Sequence, residues 1–140
     1  MREIVRPSLH FTPQKGWIND PNGLVFFKGQ YHLFYQYNPY HDNWDSMHWG
    51  HAVSRDLIHW EELEPALVPD MPYDNDKNGG CFSGSVVVHD DQLFLFYTGR
   101  TEDETGISET QNLAVSKDGI HFVKAEENPL IKEVPEKGGR

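Results

Sequence analysis

The sequence predicts an all-β protein containing about two four-stranded antiparallel blades of a β-propeller, with the ring incomplete. The chain repeats itself at a constant spacing of 62 residues, and each copy divides into short apolar runs separated by turn residues. Apolar residues recur at about every second position, and Gly and Pro interrupt the chain often, so no helix is predicted. Repeated four-stranded antiparallel units are typical of propeller blades, of which two cannot close a ring.

The repeat is visible in two segments of each copy. Residues 31–36 (YHLFYQ) align with residues 93–98 (LFLFYT), and residues 52–60 (AVSRDLIHW) align with residues 114–122 (AVSKDGIHF). Both alignments have the same 62-residue offset and need no gap. Two independent matches at one offset indicate a real repeat.

Each copy is predicted to begin with a hairpin. Polar and glycine residues at Lys28–Gln30 and Asp90–Gln92 separate runs rich in β-forming residues, as hairpin turns do. The strands predicted on either side of these turns are residues 23–27 and 31–37 in the first copy, and residues 85–89 and 93–98 in the second.

The rest of each copy is predicted to follow a longer polar loop. The third strands are residues 49–54 and 112–116, and after turns at residues 55–56 and 117–119 the last short strands lie around residues 58–60 and 120–122. Blade one then spans about residues 17–62, blade two about residues 79–124, and a connector about residues 125–140. Because two blades cannot close a ring, residues 1–140 are expected to form part of a larger propeller domain.

Composition argues against several classes of partner and site. The net charge of −10, from 22 acidic and 12 basic residues, disfavours nucleic acid and anionic membranes as partners. No apolar run approaches the ~18 residues of a membrane span, and no signal-like apolar region is present, so a cytoplasmic location is expected. The single cysteine, Cys81, excludes an internal disulfide and a cysteine-based zinc site. His48 and His51 lie three residues apart, on opposite faces of a strand, so no metal site is expected. No cofactor is expected either.

The repeat separates scaffold residues from candidate site residues. Asp56 and His59 recur as Asp118 and His121, so we interpret them as blade-corner residues. Asp20, in contrast, has Phe82 as its counterpart. Residues 20–23 (DPNG) allow two interpretations: a tight turn, or a strand end that presents the Asp20 carboxylate to the propeller axis.

Residues from both copies that differ between the copies are predicted to surround Asp20. Aromatic side chains would form a wall, and neutral polar groups would supply hydrogen bonds, which is the composition of a sugar subsite. Core packing is the alternative for each tryptophan alone. The predicted wall consists of Trp17, Trp44 and Phe82, and the polar groups are Asn19, Gln36 and Ser83.

Five motifs, in order, resemble those of glycoside hydrolase family 32, which contains invertases, sucrose-6-phosphate hydrolases, inulinases and levanases. The resemblance covers nearly the whole chain. The motifs are residues 17–23 (WINDPNG), 34–39 (FYQYNP), 48–52 (HWGHA), 56–60 (DLIHW) and 82–85 (FSGS).

The resemblance implies a five-bladed catalytic propeller of which residues 1–140 are the N-terminal part. It also implies hydrolysis of terminal β-D-fructofuranosides (sucrose, sucrose 6-phosphate or short fructans) by a retaining double displacement, with Asp20 as the nucleophile. By the same resemblance the residues expected to bind the substrate are Trp17, Ile18, Asn19, Pro21, Gln36, Trp44, Phe82 and Ser83.

The family's Arg-Asp-Pro and Glu-Cys motifs, which carry its other two essential carboxylates, are absent from these 140 residues. Retaining glycosidases need a second carboxyl group as acid and base. Residues 1–140 alone are therefore expected to be inactive, and their open blade edges are expected to favour self-association. The alternative function is a non-catalytic sugar-binding or scaffold propeller, which would not require Asn19 and Asp20 together.

Overall fold

The computed structural model describes residues 6–133, which form two consecutive four-stranded antiparallel sheets. In each sheet the strands are hydrogen-bonded in sequence order. The first sheet contains β1 (Trp17–Phe27), β2 (Gln30–Asn38), β3 (His48–Ser54) and β4 (Trp60–Leu67), and the second contains β5 (Gly80–His89), β6 (Gln92–Asp103), β7 (Gly106–Ser116) and β8 (Val123–Lys124).

Residues 6–133 contain strands and irregular segments but no helix, so the predicted all-β fold of two open four-stranded units is confirmed. Since this described range has no helix, it has none long and apolar enough to cross a membrane. Part of the predicted connector (residues 125–140), namely residues 134–140, lies outside the residues that the structure describes. Within the described part, Ile131 forms an isolated bridge with Gln111 of β7.

The two predicted hairpin turns have the same backbone shape. Phe27 pairs with Gln30 in the first sheet, and His89 pairs with Gln92 in the second. The two residues inside each turn have positive φ, 46° and 84° at Lys28 and Gly29, and 47° and 55° at Asp90 and Asp91. Two successive residues of positive φ are characteristic of a type I′ turn, whose twist matches that of the flanking strands.

The start of β1 corrects the tight-turn interpretation of residues 20–23. The strand begins at Trp17, six residues before its predicted start, and the DPNG segment lies within it. Register shifts between Ile18 and Pro21, and between Pro21 and Gly23, show that the strand is bulged there. Because β1 pairs only with β2 among residues 6–133, Pro21 lies on an edge strand, where a missing amide hydrogen is tolerated.

Three other boundaries differ from the prediction. In the second copy β6 and β7 form a continuous hairpin that closes with the Asp103–Gly106 pair. The long polar loop predicted between these two strands is therefore not present. Strand β4 begins at Trp60 and β8 at Val123, so the predicted last strands around residues 58–60 and 120–122 were placed too early. The residues before β4 and β8 form corners, because aspartate side chains bind their backbone amides.

These corners are the same in both copies. Asp56 Oδ1 accepts hydrogen bonds from the amides of Ile58 and His59, and its Oδ2 lies 2.7 Å from His59 Nδ1. Asp118 makes the equivalent contacts, with its Oδ2 also 2.7 Å from His121 Nδ1. The predicted role of both aspartates as blade-corner residues is confirmed.

The main core lies between the two sheets. Strands β1 and β5 approach so closely that a Cβ added at Gly23 would lie 2.3 Å from Val86 Cγ1. A smaller cluster on the opposite face of the first sheet contains Tyr35, Tyr37 and Ala52, with Phe11 packed against it. The buried members of the main core are Phe27, Phe34, Trp49, Ala66, Leu67, Cys81, Leu93, Leu95, Tyr97 and Ala114.

Candidate functional site

The site is built where the N-terminal halves of β1 and β5 lie side by side. These are the first strands of their sheets, and they are in contact. Asp20 lies on the bulged part of β1, and its side chain is exposed. The Ser83 hydroxyl, from β5, donates a hydrogen bond of 3.1 Å to Asp20 Oδ2. The structure therefore brings Asp20 and Ser83 together from different sheets.

A second contact fixes the segment just before Asp20. The Trp17 indole Nε1 donates a 2.8 Å hydrogen bond to Asn19 Oδ1. This bond orients the Asn19 amide, whose Nδ2 amino group can still donate hydrogen bonds to a ligand. Ile18 pairs with Tyr37 and packs against the Tyr35 cluster, whereas Pro21 is exposed beside Asp20.

Gln36 is buried and links the two sheets. It is only 2% exposed, and its Nε2 donates a 2.8 Å hydrogen bond to the carbonyl oxygen of Cys81. Since Cys81 directly precedes Phe82 and Ser83, this bond fixes the start of β5. In this structure the amide nitrogen of Gln36 is thus used by the backbone.

The predicted aromatic wall divides into separate contacts. Trp44, in the loop between β2 and β3, meets Phe82 edge to face, with ring centroids 5.7 Å apart and an interplanar angle of 74°. The guanidinium of Arg100 lies 5.6 Å from the Phe82 ring centroid. Trp17 instead makes its polar contact with Asn19. Trp44 is 42% exposed, so its indole is accessible to a ligand.

Trp49 is a residue that the sequence analysis missed. It is fully buried, and its Nε1 donates a 3.0 Å hydrogen bond to the carbonyl oxygen of Phe82. Together, Gln36 and Trp49 fix the backbone of two successive residues of β5. The repeat contained the signal that would have found Trp49, because its counterpart in the second copy is Gln111.

A buried carboxylate, Asp74, was also missed. It is 0% exposed and receives hydrogen bonds from the Tyr97 hydroxyl and the Lys124 ammonium. The pKa of the nearby Cys81 thiol is raised, mainly by burial, so this thiol stays protonated. Sequence alone gave no indication that Asp74 is buried, because it lies in an acidic loop.

The arrangement presents one exposed carboxylate beside a hydroxyl, an amide and an aromatic ring. Such a carboxylate can attack an electrophilic sugar carbon or accept hydrogen bonds from sugar hydroxyls, and the indole of Trp44 can contact a sugar ring. Over residues 6–133, no group of three or more His, Cys, Asp or Glu side chains is arranged to hold a metal ion.

Comparison with known families gives one match over most of the chain. Residues 10–140 match the family described as glycosyl hydrolases family 32 N-terminal domain. This range includes both sheets and every predicted site residue.

Characterised relatives carry related names. The chain is 51% identical over 133 residues to a sucrose-6-phosphate hydrolase of Zymomonas mobilis, covering 92% of this chain and 25% of that enzyme. It is 46% identical over 138 residues to a levanase of Bacillus subtilis, covering 92% of this chain and 19% of the levanase. The chain thus spans a quarter or less of the length of these two relatives.

Solved structures agree in fold. A Bombyx mori family 32 β-fructofuranosidase superposes with a TM-score of 0.82 at 49% identity, covering 94% of this chain and 27% of that one. A mutant of the same enzyme has been solved in complex with sucrose, with the same TM-score of 0.82 and 48% identity.

Proposed function

The chain belongs to glycoside hydrolase family 32, and we propose that the whole protein hydrolyses terminal β-D-fructofuranosides with Asp20 as its nucleophile. The observation that carries this proposal is the exposed carboxylate of Asp20 on edge strand β1, joined by a hydrogen bond to Ser83 of the neighbouring sheet.

In the proposed first step, a carboxylate oxygen of Asp20 attacks the anomeric carbon of the fructosyl unit. The bond from that carbon to the leaving-group oxygen breaks, and a second carboxyl group donates a proton to this oxygen. In the second step the same group removes a proton from water, which attacks the anomeric carbon and releases fructose from Asp20. Two inversions give net retention. The Ser83 hydroxyl orients the Asp20 carboxylate before its attack in the first step.

The second carboxyl group is assigned outside these 140 residues. The family's Arg-Asp-Pro and Glu-Cys motifs do not occur in the sequence. Asp56 and Asp118 cannot replace them, because both carboxylates are held at blade corners by backbone amides and histidine side chains.

The proposed substrate class rests on the fructosyl unit that sucrose, sucrose 6-phosphate and fructans share. Relatives named for hydrolysis of sucrose 6-phosphate and of levan, and a relative solved with sucrose, support this choice. Stacking on Trp44, with polar contacts from Asn19 and Ser83, would hold the fructosyl ring over Asp20.

A test uses the full-length protein with sucrose, followed by proton NMR during the first turnovers. We expect sucrose cleavage with β-fructofuranose as the first product, before the anomers equilibrate. A parallel reaction with sucrose 6-phosphate compares the two substrates. Sugar binding without cleavage of sucrose, its 6-phosphate or short fructans would favour the alternative of a non-catalytic sugar-binding propeller.

A further inference from the structure

A buried charged cluster lies between the two sheets, in the connection from β4 to β5. Its centre is Asp74, which is 0% exposed. Asp74 Oδ2 accepts hydrogen bonds of 2.9 Å from the Tyr97 hydroxyl and 2.7 Å from Lys124 Nζ, and Oδ1 accepts one of 2.9 Å from the Met71 amide. The Cys81 thiol lies 3.7 Å from Oδ2 as a fourth donor.

The cluster brings together groups that are far apart in sequence. Lys124 comes from β8, the last strand of the second sheet, and is 13% exposed. It also contacts the exposed Asp70 and the carbonyl oxygen of Val68, both at 2.7 Å. The pKa of Tyr97 is raised, mainly by burial, so its hydroxyl stays protonated and donates a hydrogen bond to Asp74. A buried carboxylate in such a cluster depends on every donor around it.

The cluster is connected to the candidate site through Cys81. The Cys81 side chain contacts Asp74, its amide donates to the Met47 carbonyl at 2.8 Å, and its carbonyl accepts from Gln36. The next two residues along β5 are Phe82 and Ser83. The cluster therefore contacts β5 two residues before the Ser83 hydroxyl that meets Asp20.

Comparison of the two copies shows that the cluster does not belong to the repeated scaffold. The residues equivalent to Asp74, Tyr97 and Lys124 in the first copy are Thr12, Tyr35 and Glu62. The buried Tyr35 hydroxyl has no hydrogen-bond partner among the described residues. Glu62, which has the opposite charge to Lys124, accepts a 2.9 Å hydrogen bond from the Gln14 amide. Within residues 6–133, the first copy therefore forms the same four-stranded sheet without an ion pair equivalent to Asp74–Lys124.

We propose that Asp74 is a positioning residue, which holds Cys81 through the buried cluster and thereby sets the positions of Phe82 and Ser83 at the site. The catalytic consequence rests on the proposed function, since it requires Asp20 to be the nucleophile. The structural consequence requires only that the start of β5 depends on the cluster.

The test compares two identical changes at equivalent positions in the full-length protein. Tyr97→Phe removes one hydrogen bond to Asp74 and keeps the ring, and Tyr35→Phe removes a hydroxyl that has no partner within the described range. We expect Tyr97→Phe to lower kcat for sucrose about tenfold, at a temperature where the protein is fully folded, with KM changed less. Tyr35→Phe should leave kcat unchanged.

A second readout does not depend on activity. Amide hydrogen exchange, followed by mass spectrometry, should become faster in peptides covering residues 80–84 of the Tyr97→Phe variant and not of the Tyr35→Phe variant. Asp74→Asn should show the same pattern more strongly if it folds.

The outcomes separate the two proposals. A lower melting temperature with wild-type kcat and wild-type exchange at residues 80–84 would overturn the positioning role. If the wild-type protein cleaves no fructoside, the proposed function fails, and the exchange comparison alone then decides whether the cluster holds the start of β5.

Discussion

The Ser83 hydroxyl in β5 donates a 3.1 Å hydrogen bond to the Asp20 carboxylate in β1. Each residue belongs to the first strand of a different sheet. The candidate site therefore depends on how these two strands pack, and a change at their interface should affect both stability and site geometry.

Gly23 offers the first test of this interface. A methyl group there would lie 2.3 Å from Val86 Cγ1, so Gly23→Ala is expected to destabilise the full-length protein by about 1–3 kcal/mol, measured by urea unfolding. Val86→Ala should cost less in the Gly23→Ala background than in the wild type, because it removes the clash.

Val87→Ala is the control for this comparison of Val86→Ala in the two backgrounds. Val87 is 46% exposed, and its side chain points to the opposite face of β5, so its cost should be the same in both backgrounds. Equal costs for Val86→Ala in the two backgrounds would contradict the close approach of β1 and β5.

The two blade corners provide a second prediction. Asp56→Asn and Asp118→Asn should each lower the melting temperature and leave sucrose turnover per folded molecule unchanged. Both carboxylates have a pKa well below the usual range, first because of the histidine hydrogen bond and then because of backbone amides. A variant of Asp56 that folds normally and loses turnover would place Asp56 in the active site.

A buried histidine pair predicts loss of stability in acid. His32 Nδ1 lies 3.0 Å from His51 Nε2, and the other ring nitrogen of His51 is buried without a partner among the described residues. Burial lowers the pKa of His32, and burial together with the neighbouring His32 lowers that of His51 to about 3. An unfolded histidine titrates near pH ~6.5.

Between about pH 6.5 and pH 3 the unfolded chain therefore binds a proton at His51 that the folded chain does not, and the lowered pKa of His32 acts in the same direction. The free energy of unfolding should fall as the pH falls through this range, by up to about 1.4 kcal/mol per pH unit for His51, and His32 adds a loss of the same sign. The equivalent residues in the second copy are Phe94 and Leu113. A His32→Phe, His51→Leu double variant should flatten the urea-unfolding profile over this range. An unchanged slope would show that other groups cause the acid dependence.

Features set by neighbouring residues were predictable from the sequence. The hairpin turns and the Asp56 and Asp118 corners follow from local backbone chemistry, and the 62-residue offset identified their copies. The early start of β1 was not predictable in this way, because a bulge in an edge strand accommodates Pro21.

The same distinction holds at the site. Motifs and the repeat were enough to select Asp20 and Ser83 as candidates. Trp49 and Asp74 could not be selected in this way, because their contacts join residues distant in sequence. The β6–β7 hairpin was missed because residues 100–105 are mostly polar, and their pairing across the turn is a property of the folded sheet.

Residues 1–140 expressed alone should hydrolyse no sucrose, since the proposed acid and base lies outside them. They should also self-associate, because Val87 and Phe96 are 46% and 40% exposed on the face of the second sheet that points away from the shared core. Light scattering and a sucrose assay on one sample test both expectations. A monomer that cleaves sucrose would contradict the assignment of the second carboxyl group.

The most direct test of the account is sucrose turnover by the full-length Asp20→Asn variant, with Asp118→Asn as the matched control. Asparagine keeps the size of Asp20 and removes the nucleophilic charge, so turnover should fall by several powers of ten, each equal to about 1.36 kcal/mol of activation free energy. The control should retain wild-type turnover per folded molecule. A folded Asp20→Asn variant that keeps more than about a tenth of wild-type turnover, a loss below ~1.4 kcal/mol, would contradict the nucleophile assignment.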